Sequence, residues 1–167
     1  MRKAMLMAVG MLGLVVAGWC LPAAAATVKG KRTERPFTET VVGAQISTAG
    51  GRFENVYRVK RSPDLGGAMI QDGELHGAIY PVTGTDSTIS FFRDGDRTTR
   101  DTFTLNAPNT AGIGTITGKG ICTNGTNFHK FETCTYTFKG TYDIFTHVSQ
   151  ITMAGTDTRR SSAPWHE

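Results

Sequence analysis

Apolar and polar residues alternate along most of the chain after residue 38, in short runs separated by turns. In Glu132–Lys139, Cys134, Tyr136 and Phe138 fall on one face, and threonines fall on the other. A period of two residues is that of a β-strand buried on one side. Similar runs occur at 53–61, 74–80, 87–93, 98–105 and 143–153. The spacing predicts eight or nine antiparallel strands.

Glycine-containing turns separate the predicted strands. Asp72-Gly73 is the dipeptide expected of a tight type I′ hairpin, and Asn124-Gly125 favours another turn. Gly84-Thr85-Asp86 and Asp94-Gly95-Asp96 predict two more reversals. No amphipathic helix of ten or more residues appears after the first 26 residues, which disfavours a parallel sheet with helical crossovers.

An all-β chain with many short strands must protect the edges of its sheet, and closure into a barrel does this completely. We therefore predict an all-β fold, a single antiparallel β-barrel of about eight strands, in preference to an open sandwich. Such a barrel closes around packed side chains or around one small ligand.

The first 26 residues have the pattern of a cleaved signal peptide. Arg2 and Lys3 precede an apolar run, and alanines at 23–26 supply the small side chains that a signal peptidase requires. We therefore expect an exported protein, periplasmic or secreted, with no integral membrane span in the mature chain. The predicted organisation is a signal peptide (1–26), a basic N-terminal arm (27–37), a β-barrel domain (38–155) and a flexible C-terminal tail (156–167).

The charge balance gives no reason to expect a nucleic-acid partner. The chain has 18 Lys and Arg against 14 Asp and Glu, and removal of Arg2 and Lys3 with the leader leaves a net charge of +2. Cys20 lies in the leader. The remaining pair, Cys122 and Cys134, is not spaced as a redox or zinc motif, so in an oxidising compartment we expect a disulfide.

Candidate binding residues occur in the run 74–80, where Glu74, His76 and Tyr80 alternate with apolar positions. If that face lines the barrel interior, the three side chains point into one cavity with Tyr136 and could bind a ligand or move a proton. If it faces solvent, they are ordinary surface residues. No pattern predicts a catalytic residue, a metal site or a cofactor.

Three further features affect the expected surface and interior. Asp94, Asp96 and Asp101, interleaved with arginines, are interpreted as a solvated hairpin tip. The four glycines at 112, 114, 118 and 120 either share one face of a strand or belong to flanking turns. Phe91 and Phe92 are adjacent, so one of them points out of the barrel and indicates contact with another surface, such as a second subunit.

Two segments resemble a known group of proteins. Gly118–Thr126 and Tyr136–Asp143 are similar to the GxGxCTxGT and YTFxGTYD strands of uncharacterised exported bacterial proteins. These in turn resemble the β-barrels of the allene-oxide-cyclase and dirigent group. The resemblance implies a barrel fold. It carries over no catalytic residue, because the cyclase positions have no residue-by-residue match here.

These observations lead to one leading hypothesis and two alternatives. The leading one is binding of a small apolar ligand in the barrel mouth or lumen, because strand aromatics are numerous and no catalytic constellation appears. The first alternative is an enzyme of the cyclase or isomerase type that acts in the lumen. The second is a structural or surface-interaction protein, which a dense interior and an apolar outer patch would favour.

Overall fold

The computed structural model describes residues 32–63 and 66–160, which form a closed barrel of eight antiparallel strands. The predicted fold class is confirmed. The predicted signal peptide lies outside the described residues. The strands are β1 (Arg32–Ala49), β2 (Arg52–Arg61), β3 (Gly67–His76), β4 (Val82–Phe92), β5 (Gly95–Leu105), β6 (Ile113–Gly125), β7 (Thr133–Asp143) and β8 (Val148–Arg160).

The first and last strands close the barrel. β1 and β8 pair without interruption from Arg32 opposite Arg160 to Ala44 opposite Val148. Strand structure therefore extends beyond the predicted 38–155 range at both ends, into the predicted basic arm and the predicted tail. Because every strand has a partner on each side, no strand presents an unpaired edge.

Alternation of the side chains separates the interior from the outer surface. Phe92 is buried and Phe91 is exposed, as their adjacency in one strand requires. The core is built mainly from inward-facing aromatic and branched side chains and includes Phe37, Val41, Phe53, Tyr57, Met69, Phe103, Ile116, Tyr136, Phe138, Ile151 and Met153.

Several glycines that predict turns lie inside strands instead. Asp72-Gly73 lies within β3 and Gly84-Thr85-Asp86 lies within β4, so both predicted reversals are wrong. A Cβ atom on Gly73 would lie 2.5 Å from Cζ of Phe53, and one on Gly84 would overlap the ring of Phe103. These glycines make room for aromatic rings from neighbouring strands rather than for a tight turn.

The glycines of β6 follow the same rule. Gly118 and Gly120 face the interior, where a Cβ atom on either would overlap the ring of Phe138 or Tyr136. Gly114 also lies in the strand, while Gly112 precedes it with φ +80°. The shared-face alternative therefore holds for Gly114, Gly118 and Gly120, but not for Gly112.

The predicted turn at Asn124-Gly125 is wrong, because β6 continues through Gly125. The reversal comes after it, at residues 126–132, around a short 3₁₀ helix (Asn127–His129). Cys122 and Cys134 are joined across this excursion by the predicted disulfide.

The two ends of the barrel are therefore unlike. The 126–132 segment inserts His129 and Glu132 into one end, where both are buried and the His129 ring contacts Phe92 at a centroid distance of 5.2 Å. We call this the plugged end. The opposite end lies between the 77–81 and 144–147 loops and is open.

Candidate functional site

The open end of the barrel contains a pocket of about 290 Å³, here called the mouth pocket. Its apolar walls come from Phe53, Leu75, Phe103, Leu105 and Ile116, and Tyr80 and Tyr142 lie at its margin. A volume of this size suits a small molecule of one or two rings. A concave, mostly apolar lining with few polar groups is the usual form of a ligand site.

The polar groups of the mouth pocket form one hydrogen-bonded cluster around Tyr57. Ser149 Oγ donates to the Tyr57 hydroxyl at 3.1 Å, and that hydroxyl donates to Gln71 Oε1 at 3.2 Å. Asn55 Nδ2 donates to the same Gln71 oxygen at 2.7 Å. Burial raises the pKa of Tyr57 to about 12, so its hydroxyl keeps its proton at neutral pH.

A pair of carboxyl groups lies behind this cluster. Asp86 on β4 and Asp101 on β5 are directly opposite each other, and both are buried. Gln71 hydrogen-bonds to Asp86 and thereby connects the pair to the mouth pocket. On the other side, the Tyr136 hydroxyl donates to Asp101 Oδ1 at 2.5 Å.

Burial of two facing carboxyl groups changes their ionisation. Loss of solvation raises the pKa of both, and the Asp86 charge raises that of Asp101 further, to about 8. Like charges this close cannot both ionise easily, so near neutral pH the pair retains one proton. A carboxyl pair that holds a proton beneath a pocket is able to serve as an acid or a base.

A second buried polar cluster fills the plugged end. The Arg97 guanidinium donates to Glu39 at 2.7 Å and lies 3.8 Å from Glu132. Its central carbon also lies over the ring of Phe92, 4.8 Å from the centroid. His129 pairs with Glu132 through Nδ1. These contacts fasten the 126–132 segment to the barrel, so we assign the cluster a structural role.

The structure does not bring the four predicted binding residues together. β3 directs Met69, Gln71, Gly73 and Leu75 inward. Glu74 and His76 consequently face outward, which is the solvent-facing alternative. Glu74 lines a second pocket, of about 1040 Å³, which Tyr136 and the buried Asp86 and Asp101 also line.

The other two predicted residues lie in the barrel, at different depths. Tyr80 belongs to the loop after β3, because that strand ends at His76 rather than continuing to Tyr80, and it lines the mouth pocket. Tyr136 is buried beside Asp101. Tyr80 therefore stays a candidate contact for a ligand, whereas Tyr136 contacts the acid pair.

Sequence reasoning missed Asp86, Asp101 and Arg97. The sequence pattern predicts a turn at Asp86 and a solvated hairpin tip around Asp101 and the arginines beside it, yet Asp101 is buried and Arg97 is only 2% exposed. The run 98–105 does contain a signal, because Phe103 and Leu105 fall on one face of it. Alternation also places Asp101, two residues before Phe103, and Thr99, four residues before it, on that face.

Within the two described ranges, no helix has the length and apolar composition needed to cross a bilayer. The same residues contain no group of three or more His, Cys, Asp or Glu side chains placed to hold a metal ion.

No family model, curated protein or solved structure matches this chain. The resemblance to the allene-oxide-cyclase and dirigent group therefore stays a prediction from two sequence segments.

Proposed function

We propose that the protein binds a small, mostly apolar ligand in the mouth pocket. The difference between the two ends of the barrel supports this proposal. The 126–132 segment closes one end, whereas the other end is open above an apolar pocket. Buried core side chains such as Phe138 and Met153 lie below the pocket, which favours a site at the mouth over a through-going lumen.

The hydrogen bonds around Tyr57 suggest the chemistry of the ligand's polar end. The Ser149 hydroxyl donates its hydrogen bond to Tyr57, and the Tyr57 hydroxyl donates its hydrogen bond to Gln71. The Ser149 oxygen is then available as an acceptor. Asp143 at the rim adds negative charge, because backbone N–H groups of Phe145 and Thr146 lower its pKa. A ligand head that donates a hydrogen bond, such as a hydroxyl or an amine, fits best.

The experiment uses three naphthalene probes of nearly equal size, namely 1-naphthol, 1-naphthylamine and 1-methoxynaphthalene. We expect the two donors to raise the melting temperature of the purified protein more than the methyl ether does, and native mass spectrometry to show a one-to-one complex. Thr48→Trp places an indole in the pocket and should abolish the shift. Thr83→Trp, on the outer face of β4, should leave it unchanged.

No shift and no complex with any probe would overturn the proposal. An undiminished shift in Thr48→Trp would show that the probes bind elsewhere and would also overturn it. Equal binding of all three probes, lost in Thr48→Trp, would keep the pocket and remove the preference for a donor head.

A second candidate function is isomerisation by proton transfer, which the Asp86–Asp101 pair behind Gln71 favours. An enzyme of this kind exchanges carbon-bound protons of its substrate with solvent. A compound bound in the pocket and recovered from D₂O should then gain mass with the wild type and not with Asp101→Asn. Recovery without deuterium from both proteins would exclude this function for that compound.

A further inference from the structure

A continuous row of apolar side chains crosses the outer face of five strands. Strand register places neighbours side by side in the order Val148, Ala44, Val56, Ile70 and Ile89. Val56, Ile70 and Ile89 are each about two-fifths exposed, at 39%, 43% and 41%. We call these five residues the outer row. At a strand spacing of roughly 4.8 Å it follows an arc of about 19 Å. Because it crosses five consecutive strands of a closed eight-strand barrel, the row curves around about half of the barrel, and Val148 and Ile89 at its ends face in nearly opposite directions.

The outer row separates charges of opposite sign on β2. Arg58 lies two residues beyond Val56 toward the plugged end, and Glu54 lies two residues beyond it toward the open end. Both side chains point outward with Val56 because the strand alternates. The apolar row is therefore bordered on one side by a cation and on the other by an anion, at equal distances along the strand.

This arrangement is complementary to itself. Suppose that a two-fold axis lies in the interface and runs along the outer row at Val56 and Ile70. Each of these residues then faces the same residue of the other protomer, and the strands of the two protomers run in opposite directions. Arg58 of each protomer then faces Glu54 of the other. Lys60 of each protomer faces Arg52 of the other, but Arg52 is paired with Asp72 and Glu74, and this group of three carries one net negative charge. An isologous contact requires this kind of matching.

We propose that the middle of the outer row, at Ala44, Val56 and Ile70, is a homodimer interface, in which two barrels pack side by side about such an axis. Phe91, 40% exposed beside the row, extends the apolar area. A contact made by the middle of one row of side chains is small, so we expect a reversible, concentration-dependent dimer. This inference is independent of the mouth pocket, because Ala44, Val56 and Ile70 do not line that pocket, although Val148 at one end of the row does.

Charge reversal tests the proposed axis. In sedimentation equilibrium of the purified protein, Arg58→Glu should weaken the dimer by roughly tenfold or more, since each new carboxylate faces Glu54 of the partner. The double variant R58E/E54R exchanges the two charges and should restore most of the affinity. Lys139→Glu, an outward-facing change on β7, should have no effect. Circular dichroism checks that each variant retains the strand spectrum.

A second variant tests the apolar contact itself. Ile70→Asp should give a monomer at all concentrations, because the two-fold axis would bring two carboxylates together. A wild-type protein that is monomeric throughout would overturn the proposal. So would a dimer that Arg58→Glu and Lys139→Glu affect equally, or one that R58E/E54R fails to restore, since either result would place the interface elsewhere or about a different axis.

Discussion

Asp86 and Asp101 face each other across the β4–β5 pair, and each is held by a different hydrogen-bond donor. Gln71 contacts Asp86 from the side of the mouth pocket, and Tyr136 donates to Asp101 from the other side. The pair therefore joins the hydrogen-bonded cluster of the pocket to the centre of the barrel. Among residues 32–63 and 66–160 neither carboxyl forms an ion pair, and the charge of Arg97 lowers the pKa of Asp101 by less than burial and Asp86 raise it, so a retained proton relieves their repulsion.

The retained proton makes stability depend on pH. The pKa of Asp101 rises from 3.8 to about 8 on folding, so between these values the folded state binds more protons than the unfolded state. The free energy of unfolding should then fall as pH rises through this window, by up to about 1.4 kcal/mol per pH unit. Asp101→Asn should flatten the slope, because an amide cannot ionise but still accepts from Tyr136.

Urea denaturation at several pH values between about 5 and 8 measures this slope. Asp72→Asn is the matched control, because Asp72 is an exposed carboxyl on the outer face, and it should keep the wild-type slope. An unchanged slope in Asp101→Asn would show that the pair does not retain a proton in the folded protein.

The fold could be predicted from the sequence because its main signal is local. The alternation of Cys134, Tyr136 and Phe138 with threonines needs no knowledge of any other strand, and enough such runs predict a closed sheet. The disulfide could be predicted without structural information too, since only Cys122 and Cys134 follow the predicted leader. Strand boundaries were harder, because β1 and β8 extend through polar residues that are ordered by pairing with each other.

The candidate site could be predicted only in part, because its determinants are not local. Gly73 predicts a turn when it is considered with Asp72 alone. Its actual role depends on Phe53 and Asp86, which lie on neighbouring strands. The charges of Arg97 and Asp101 predict exposed side chains, but both are buried against partners distant in sequence. Glu39, which accepts from Arg97, lies 58 residues away from it along the chain. Propensity does not report such partners.

Removal of Arg97 should be strongly destabilising. Its guanidinium lies between Glu39 and Glu132, and Arg97→Met would leave two buried carboxylates without it. The loss of one partner from a buried ion pair costs about 3–5 kcal/mol, which chemical denaturation at neutral pH would measure. Arg100→Met, on the outer face of the same strand, should change stability by no more than about 0.5 kcal/mol.

A second substitution distinguishes the loss of charge from the loss of packing. Adding Glu39→Gln to Arg97→Met removes one of the two carboxylates that Arg97 faces and should recover part of the lost stability. If the double variant is as unstable as Arg97→Met alone, the contribution of Arg97 would come from its contacts with Phe37 and Phe92 rather than from its charge.

Gly120 should tolerate no side chain, because β6 passes directly over the acid pair. A Cβ atom there would lie 2.5 Å from the Tyr136 hydroxyl oxygen and would overlap a carboxylate oxygen of Asp101. Gly120→Ala must displace one of them, and overpacking of this kind costs about 1–3 kcal/mol. Lys119→Ala, at the neighbouring outward-facing position, should be nearly neutral. If Tyr136 is displaced from Asp101, Gly120→Ala should also shift the pH range over which stability changes. A variant with wild-type stability and wild-type pH dependence would mean that the strand moves away from the pair at little cost.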